Sequence, residues 1–388
     1  MELKNYFTPV SLEKPADHFL SDKSVFCRNI HIHTPDSPIG ELAGYRIAIV
    51  GVPEDRNAKI RGSASAPDII RNKLYNLYRV NPALKIVDLG NLVSGNSVQD
   101  TYYAIRDIVL ELREIGIITI ILGGSQDLTY GIYLAYEKLD ALFNFVTVDS
   151  RLDLGIIQDE IKPESYLIPM LSRKKELVFN YTNLGHQKYL VDQEDIDFLQ
   201  GQFNETVRLG DIHSNIGITE PVLRDSAFVS FDFNAIRQGD SPGCTHPSPN
   251  GLYGEEACQI SKYAGLANTL MVFGIFNILP SVDQRDQSAH LAAQMVWYFI
   301  EGVSQRKLEE PSGKSASFKK FIVSFSGKDR EIIFYKSLES ERWWFEVPVL
   351  SDKSRQKRIL ISCSHEDYLC ACNQEIPDHW LKAFRKLN

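Results

Sequence analysis

Three short runs place chemistry-bearing side chains directly after apolar stretches. Gly123-Gly124-Ser125-Gln126-Asp127 follows Ile117–Leu122, Asp149-Ser150-Arg151-Leu152-Asp153 follows Phe143–Val148, and Ser230-Phe231-Asp232-Phe233-Asn234 closes Ala227–Phe231. If the runs meet, Asp149, Asp153 and Asp232 with the amides of Gln126 and Asn234 make an oxygen-rich set suited to a hard cation such as magnesium or calcium. The bland alternative is that each aspartate caps its own loop, as aspartates do after strands. Arg151 stands against metal: a guanidinium stays charged at ordinary pH, and at about 4 Å it repels a divalent ion by several kcal/mol even at an effective dielectric near 20. Paired instead with Asp149, Asp153 or Asp232, Arg151 would replace the metal as counter-ion.

Positioning these runs requires a particular scaffold. Continuous apolar runs at 45–50, 85–90, 117–122, 143–148, 207–210, 227–231 and 269–273 read as buried strands. They alternate with helical patterns starting at Pro67 and over 101–115, 129–138, 253–265 and 285–303. Such alternation predicts an α/β protein, a three-layer α/β/α domain around a mostly parallel sheet, with ligands at the carboxyl ends of the strands. Residues 1–40 are polar and proline-punctuated. After 305 the composition shifts through SQRKLEEPSGKSASFKK into FIVSF, EIIFY, RWWFEVPVL and RILISC. These runs predict a β-rich extension over 318–373 with a terminal helix at 378–387. The division is thus 1–40, 41–305 and 306–388. Trp343-Trp344-Phe345 reads as core of the extension, or as a partner patch if exposed.

The chain has 388 residues, a net charge of −8 and a sequence pI of about 5.7. That balance argues against nucleic acid as the main partner, since phosphate binding wants a basic surface. The start, MELKNYFTPVSLEKPADHF, has no apolar core of a signal peptide, and no window holds the roughly 20 apolar residues of a membrane span. A cytoplasmic protein is the expectation. Six cysteines make no disulfide framework. Cys363, Cys370 and Cys372 cluster with His365, as a non-standard metal set or as plain core of the tail. Lys174 and Lys175 beside Arg173 read as a solvated face, and His246 as a loop residue within reach of the pocket mouth.

The three runs resemble the metal-binding motifs G-G-D-H-S, D-A-H-x-D and S-x-D-x-D of the arginase, agmatinase and formimidoylglutamase (ureohydrolase) family. Pro242-Gly243, Thr245, Pro247, Gly251-Leu252 and Glu256-Ala257 are similar to its flanking P-G-T-G-x-P, G-G-L and E-A; Gly51, Pro53, Gly62, Pro67 and Ile70-Arg71 are similar to its first strand-loop-helix. The resemblance covers residues 41–303. It implies a two-manganese site, a bridging hydroxide that attacks the guanidinium carbon, and trimers or hexamers. Carried over position by position, the ligand set departs from the family's: Gln126 and Arg151 stand for histidines, and Asn234 for an aspartate. Asn277 stands for the glutamate that grips the guanidinium, and Tyr166 falls near the proton-shuttling histidine. The expectation is a member without manganese, catalytically inactive, that binds a protein partner or a small guanidino or amino ligand, or serves as a subunit of a larger assembly. The alternative is a metal-dependent hydrolase of linear amidines with an altered site.

Overall fold

A computed structural model describes residues 3–11, 23–156, 160–173, 177–309, 311, 317–325, 331–350 and 357–388. Ten strands share one sheet: β1 (Phe7–Thr8), β2 (His31–Ile32), β3 (Ile47–Val52), β4 (Ile86–Leu92), β5 (Ile118–Gly123), β6 (Phe143–Val148), β7 (Val178–His186), β8 (Glu205–Arg208), β9 (Phe228–Asp232) and β10 (Val272–Phe276). Their order is β1-β4-β3-β5-β10-β9-β6-β7-β8, with β2 also on β4. Every pairing is parallel except β1 with β4. Side-chain alternation explains why both faces are covered. In β3, Ile47 and Ile49 enter one core while Ala48, Val50 and Val52 enter the other.

One face is covered by α1 (Ala66–Leu74), α8 (Gly254–Leu266) and α9 (Gln287–Ser304), and the other by α2 (Val98–Glu114) and α3 (Thr129–Lys138), with shorter helices α4 (Leu167–Leu171), α5 (Gln193–Gly201), α6 (Leu209–Ser214) and α7 (Thr219–Arg224) between strands. Ser97 opens α2 with a reciprocal capping box to Asp100. Helix α1 is tied to β4 by the buried Arg71, whose Nε lies 2.9 Å from Asp88 Oδ2. No described helix is long and apolar enough to cross a membrane.

After α9 the chain forms a separate antiparallel sheet, β11 (Phe318–Ser324), β12 (Glu331–Ser337), β13 (Trp343–Val349) and β14 (Lys357–Cys363), in sequential order. Two helices follow, α10 (His365–Cys372) and α11 (Asp378–Leu387). Trp343, Trp344 and Phe345 are buried, as their core reading required.

Several expectations shift. Residues 365–372 are helical, because Ser364 and Asp367 form a capping box. The strand expected at 207–210 ends at Arg208 and turns into α6. The strand expected at 269–273 starts at Val272, because the Thr269 hydroxyl is engaged with the carbonyls of Arg224 and Ser226. Strand β7 was not anticipated: Asn180 and Asn183 interrupt its apolar pattern. The segment before residue 40 is not merely irregular, since β1 pairs with β4 and Val10 and Phe26 enter the core. Lys174 and Lys175 lie outside the described residues.

Candidate functional site

Strands β5, β10, β9 and β6 are consecutive neighbours in the sheet, so the loops after their carboxyl ends emerge side by side. Parallel strands spaced roughly 5 Å apart bring residues distant in sequence into one cluster. The result is that Asp149, Asp153 and Asp232 each present a carboxylate oxygen within 4.8 Å of the others. Among the described residues this is the group that could hold a metal ion; Cys363, Cys370, Cys372 and His365 form no such group, and all three cysteines are free thiols.

Two of the loops are built the same way. Asp149 Oδ1 accepts from the Arg151 N–H at 2.9 Å, and Asp232 Oδ1 accepts from the Asn234 N–H at 2.8 Å. Asp149 and Asp232 therefore do what the bland reading required, each capping its own loop. Asp153 and Asn277 sit at φ of 47° and 66°, a left-handed conformation that costs non-glycine residues. The missed strand β7 supports this corner, since Asn183 Nδ2 donates to the carbonyls of Asp149 and Arg151 at 3.3 and 3.0 Å.

Asp232 is the most heavily engaged carboxylate. Its Oδ2 accepts from Asn234 Nδ2 at 3.0 Å and Asn277 Nδ2 at 2.9 Å. Asn234 is itself locked, with Oδ1 accepting from the His246 N–H at 2.7 Å and from the Thr245 hydroxyl at 3.0 Å. Gln126 is buried beside Asp149, and its amide nitrogen has no hydrogen-bond partner. A cavity of about 260 Å³ opens above these groups, lined by Gln126, Arg151, Asp153, Asp232, Asn234 and Asn277, with Lys59, Glu164 and His246 also on its wall.

Arg151 departs from its expected role. It is exposed on the cavity wall and makes no ion pair with Asp149, Asp153 or Asp232 among the described residues. Solvent explains the difference: burying a guanidinium against the aspartates would forfeit its hydration, and its backbone already serves Asp149.

No ion pair holds these carboxylates among the described residues, although the Arg151 charge acts on Asp153 from the cavity wall. Burial pushes Asp149 and Asp232 well above the usual carboxylate range, and repulsion from Asp153 and Asp149 respectively adds to it. Asp153 is pushed up to about 8, chiefly by desolvation and then by the charges of Asp232 and Glu164, against the opposing hydrogen bond from Asp149 and charge of Arg151. Without a cation these causes favour the protonated carboxyls over the carboxylates. Tyr166, matched only loosely in sequence, is fully buried here; burial and then Asp153 raise its hydroxyl well above its ordinary value, and that hydroxyl has no hydrogen-bond partner. Asp127 was overlooked although it closes the first run. It is buried, accepts from the Tyr102 hydroxyl, and is pushed up to about 6 by desolvation.

The donor set fits one hard cation on Asp149, Asp153 and Asp232, with the Gln126 amide adjacent. It does not fit the second of two ions. Asp232 Oδ2 already accepts from two amides, and Asn234 is held as a neutral hydrogen-bonding residue.

The sequence profile of the arginase family matches residues 45–301. The formimidoylglutamase of Streptococcus gordonii is 23% identical over 293 residues, covering 69% of this chain and 87% of its own. That of Staphylococcus haemolyticus is 22% identical over 306 residues, covering 74% and 93%. The fold superposes on Trypanosoma cruzi formiminoglutamase with manganese at a TM-score of 0.64 and 19% identity, over 69% of this chain and 97% of that one. Bacillus subtilis formimidoylglutamase gives 0.65 at 19% identity, over 76% and 97%. The match extends over most of the ten-stranded sheet and all three aspartate-bearing loops, and by it the chain belongs to the arginase family.

Proposed function

We propose that this chain keeps the ureohydrolase pocket as a cation-binding site and has given up two-metal hydrolysis. Its occupant is a single positive centre: one divalent ion, or the head of a small guanidino or amino ligand. The observation that carries this reading is the state of Asp232, whose Oδ2 is held by Asn234 and Asn277 where a bridging role would need it free. In a two-metal ureohydrolase the ions supply a hydroxide nucleophile at neutral pH. Here Asp149, Asp153 and Asp232 supply a site for one positive charge, and Gln126 adds a neutral amide. Asn277 donates an amide hydrogen to Asp232, and as a neutral amide the residue standing for the family's guanidinium-gripping glutamate offers a ligand no negative charge.

The test begins with protein purified in manganese and bound metal counted per chain. The expected result is no more than one equivalent, with no release of urea, ammonia or formamide from arginine, agmatine or formiminoglutamate. The combined variant Gln126→His, Arg151→His, Asn234→Asp should take up a second equivalent. Two ions in the unaltered protein, or turnover that Asp153→Asn abolishes, would overturn the proposal. One ion with such turnover would establish the second reading, a one-metal amidine hydrolase, which the convergence of three carboxylates favours.

A further inference from the structure

The extension packs at the end of the sheet opposite the aspartates. Ser362 of β14 donates its N–H to Asp225 at 2.8 Å and its hydroxyl to the same carboxylate at 2.5 Å. Lys386 of α11 reaches the Phe179 carbonyl and the side-chain oxygens of Asn180 and Asn204 at 2.7, 2.8 and 3.1 Å. Between extension and core lies a cavity of about 520 Å³. On β6 its lining reaches Val146, three residues before Asp149, which sets it back from the aspartates by roughly 10 Å along the strand. Its volume falls within the roughly 300–1,000 Å³ of small-molecule sites.

The cavity's chemistry is asymmetric. Phe143 and Phe145 of β6, Val222 of α7, Ile359 and Ile361 of β14 and Leu387 of α11 give it apolar walls. Its polar groups are mostly engaged: Asp225 by Ser362, the Tyr136 hydroxyl by the Ala227 carbonyl, and Lys386 by three neutral oxygens, while Glu205 lies 3.7 Å from His379. Arg113 is the exception. It stands in the last turn of α2, exposed on the cavity's wall and 6.0 Å from the Tyr136 ring centroid, with no ion pair or side-chain hydrogen bond among the described residues. An apolar chamber with a free guanidinium on its wall complements a molecule with a greasy body and one anionic end. The Lys386 ammonium is bonded to three neutral oxygens and already feels the Glu205 carboxylate on the same wall, so recognition of the anion falls to Arg113.

We propose that the junction cavity binds an amphipathic carboxylic acid, its tail between β6, α7 and β14 and its carboxylate on Arg113. The site needs both parts of the chain, which gives the extension a role beyond that of the family fold.

The test is calorimetric titration of the full chain with decanoate and with decanol, which shares the tail but not the charge. Saturable binding of one decanoate per chain is expected. Arg113→Ala should weaken decanoate by about tenfold, as loss of a charged hydrogen bond does, and leave decanol unchanged. Val222→Trp should abolish both by filling the chamber; Ile359→Trp fills it from the other wall if the first variant does not fold. Asp153→Asn should alter neither titration, which separates this site from the cation pocket. Absence of saturable decanoate binding, or binding indifferent to the tryptophan variant, overturns the proposal. Equal decanoate affinity in Arg113→Ala and the unaltered protein overturns the assignment of an acid.

Discussion

At the scale of single residues, Asp153 gives the site its pH signature. In the fold its carboxyl keeps a proton up to about 8, whereas in the unfolded chain it releases it near ~3.9. Between those values the folded state binds more protons, so this group's contribution to stability is greatest at low pH and falls as pH rises towards 8. Differential scanning calorimetry of chelator-treated protein should show a melting temperature that declines across that window more steeply than in Asp153→Asn. Manganese or magnesium should reverse the decline at its upper end, because a cation binds the deprotonated carboxylates and competes with protons for them. A melting curve indifferent to these ions at pH above 8 would count against the cation site. Arg151 teaches the complementary lesson. Its charge was legible from its type, but its direction was not, because its backbone caps Asp149 while its side chain stays in water.

At the scale of elements, the loop after β5 depends on close approach. A Cβ on Gly124 would stand 2.0 Å from the Glu54 carbonyl oxygen, and the neighbouring Ser125 N–H already donates to that oxygen at 3.0 Å. Gly124→Ala must therefore push the loop off the end of β3, at a cost of ~1–3 kcal/mol. A urea melt reads that loss, and cation uptake should fall with it because Gln126 moves. Helix α1 offers a second test. Asp88 accepts from Arg71 Nε, Arg71 Nη2, the Tyr75 hydroxyl and the Gly90 N–H, all inside the protein. Arg71→Met leaves that carboxylate buried without its cation, and a loss of ~3–5 kcal/mol is expected in the same melt.

At the scale of the whole molecule, the core and extension meet through specific polar and stacking contacts. Besides Lys386 and Ser362, Arg224 stacks over the Trp344 ring at 4.6 Å and donates to the Cys363 carbonyl at 3.2 Å. Lys386→Ala removes three hydrogen bonds to the core at once. It should lower the melting temperature, and limited proteolysis should cut α11 before the core is touched. If α11 stays as resistant as in the unaltered protein, the extension is held by something other than these contacts.

The sequence by itself determined the alternation of strands and helices, the four-stranded character of the tail and the three runs that carry the site. Each is a local property: an apolar period, a turn glycine, a carboxylate just past a strand end. Asp149 and Asp153 were legible because they follow one strand and Asp232 because it closes another, and Asn277 through the resemblance to the family's motifs. Tertiary structure decided what these residues do to one another. Only the sheet order places β10 between β5 and β9, which lets Asn277 reach Asp232 from 45 residues away. Strand β7 was hidden because its asparagines, polar in the sequence, take partners from distant parts of the chain: Asn183 donates to the carbonyls of Asp149 and Arg151, and Asn180 accepts from Lys386. The junction cavity could not be read from any stretch of chain, since its two walls are brought together by packing between residues separated by well over a hundred positions.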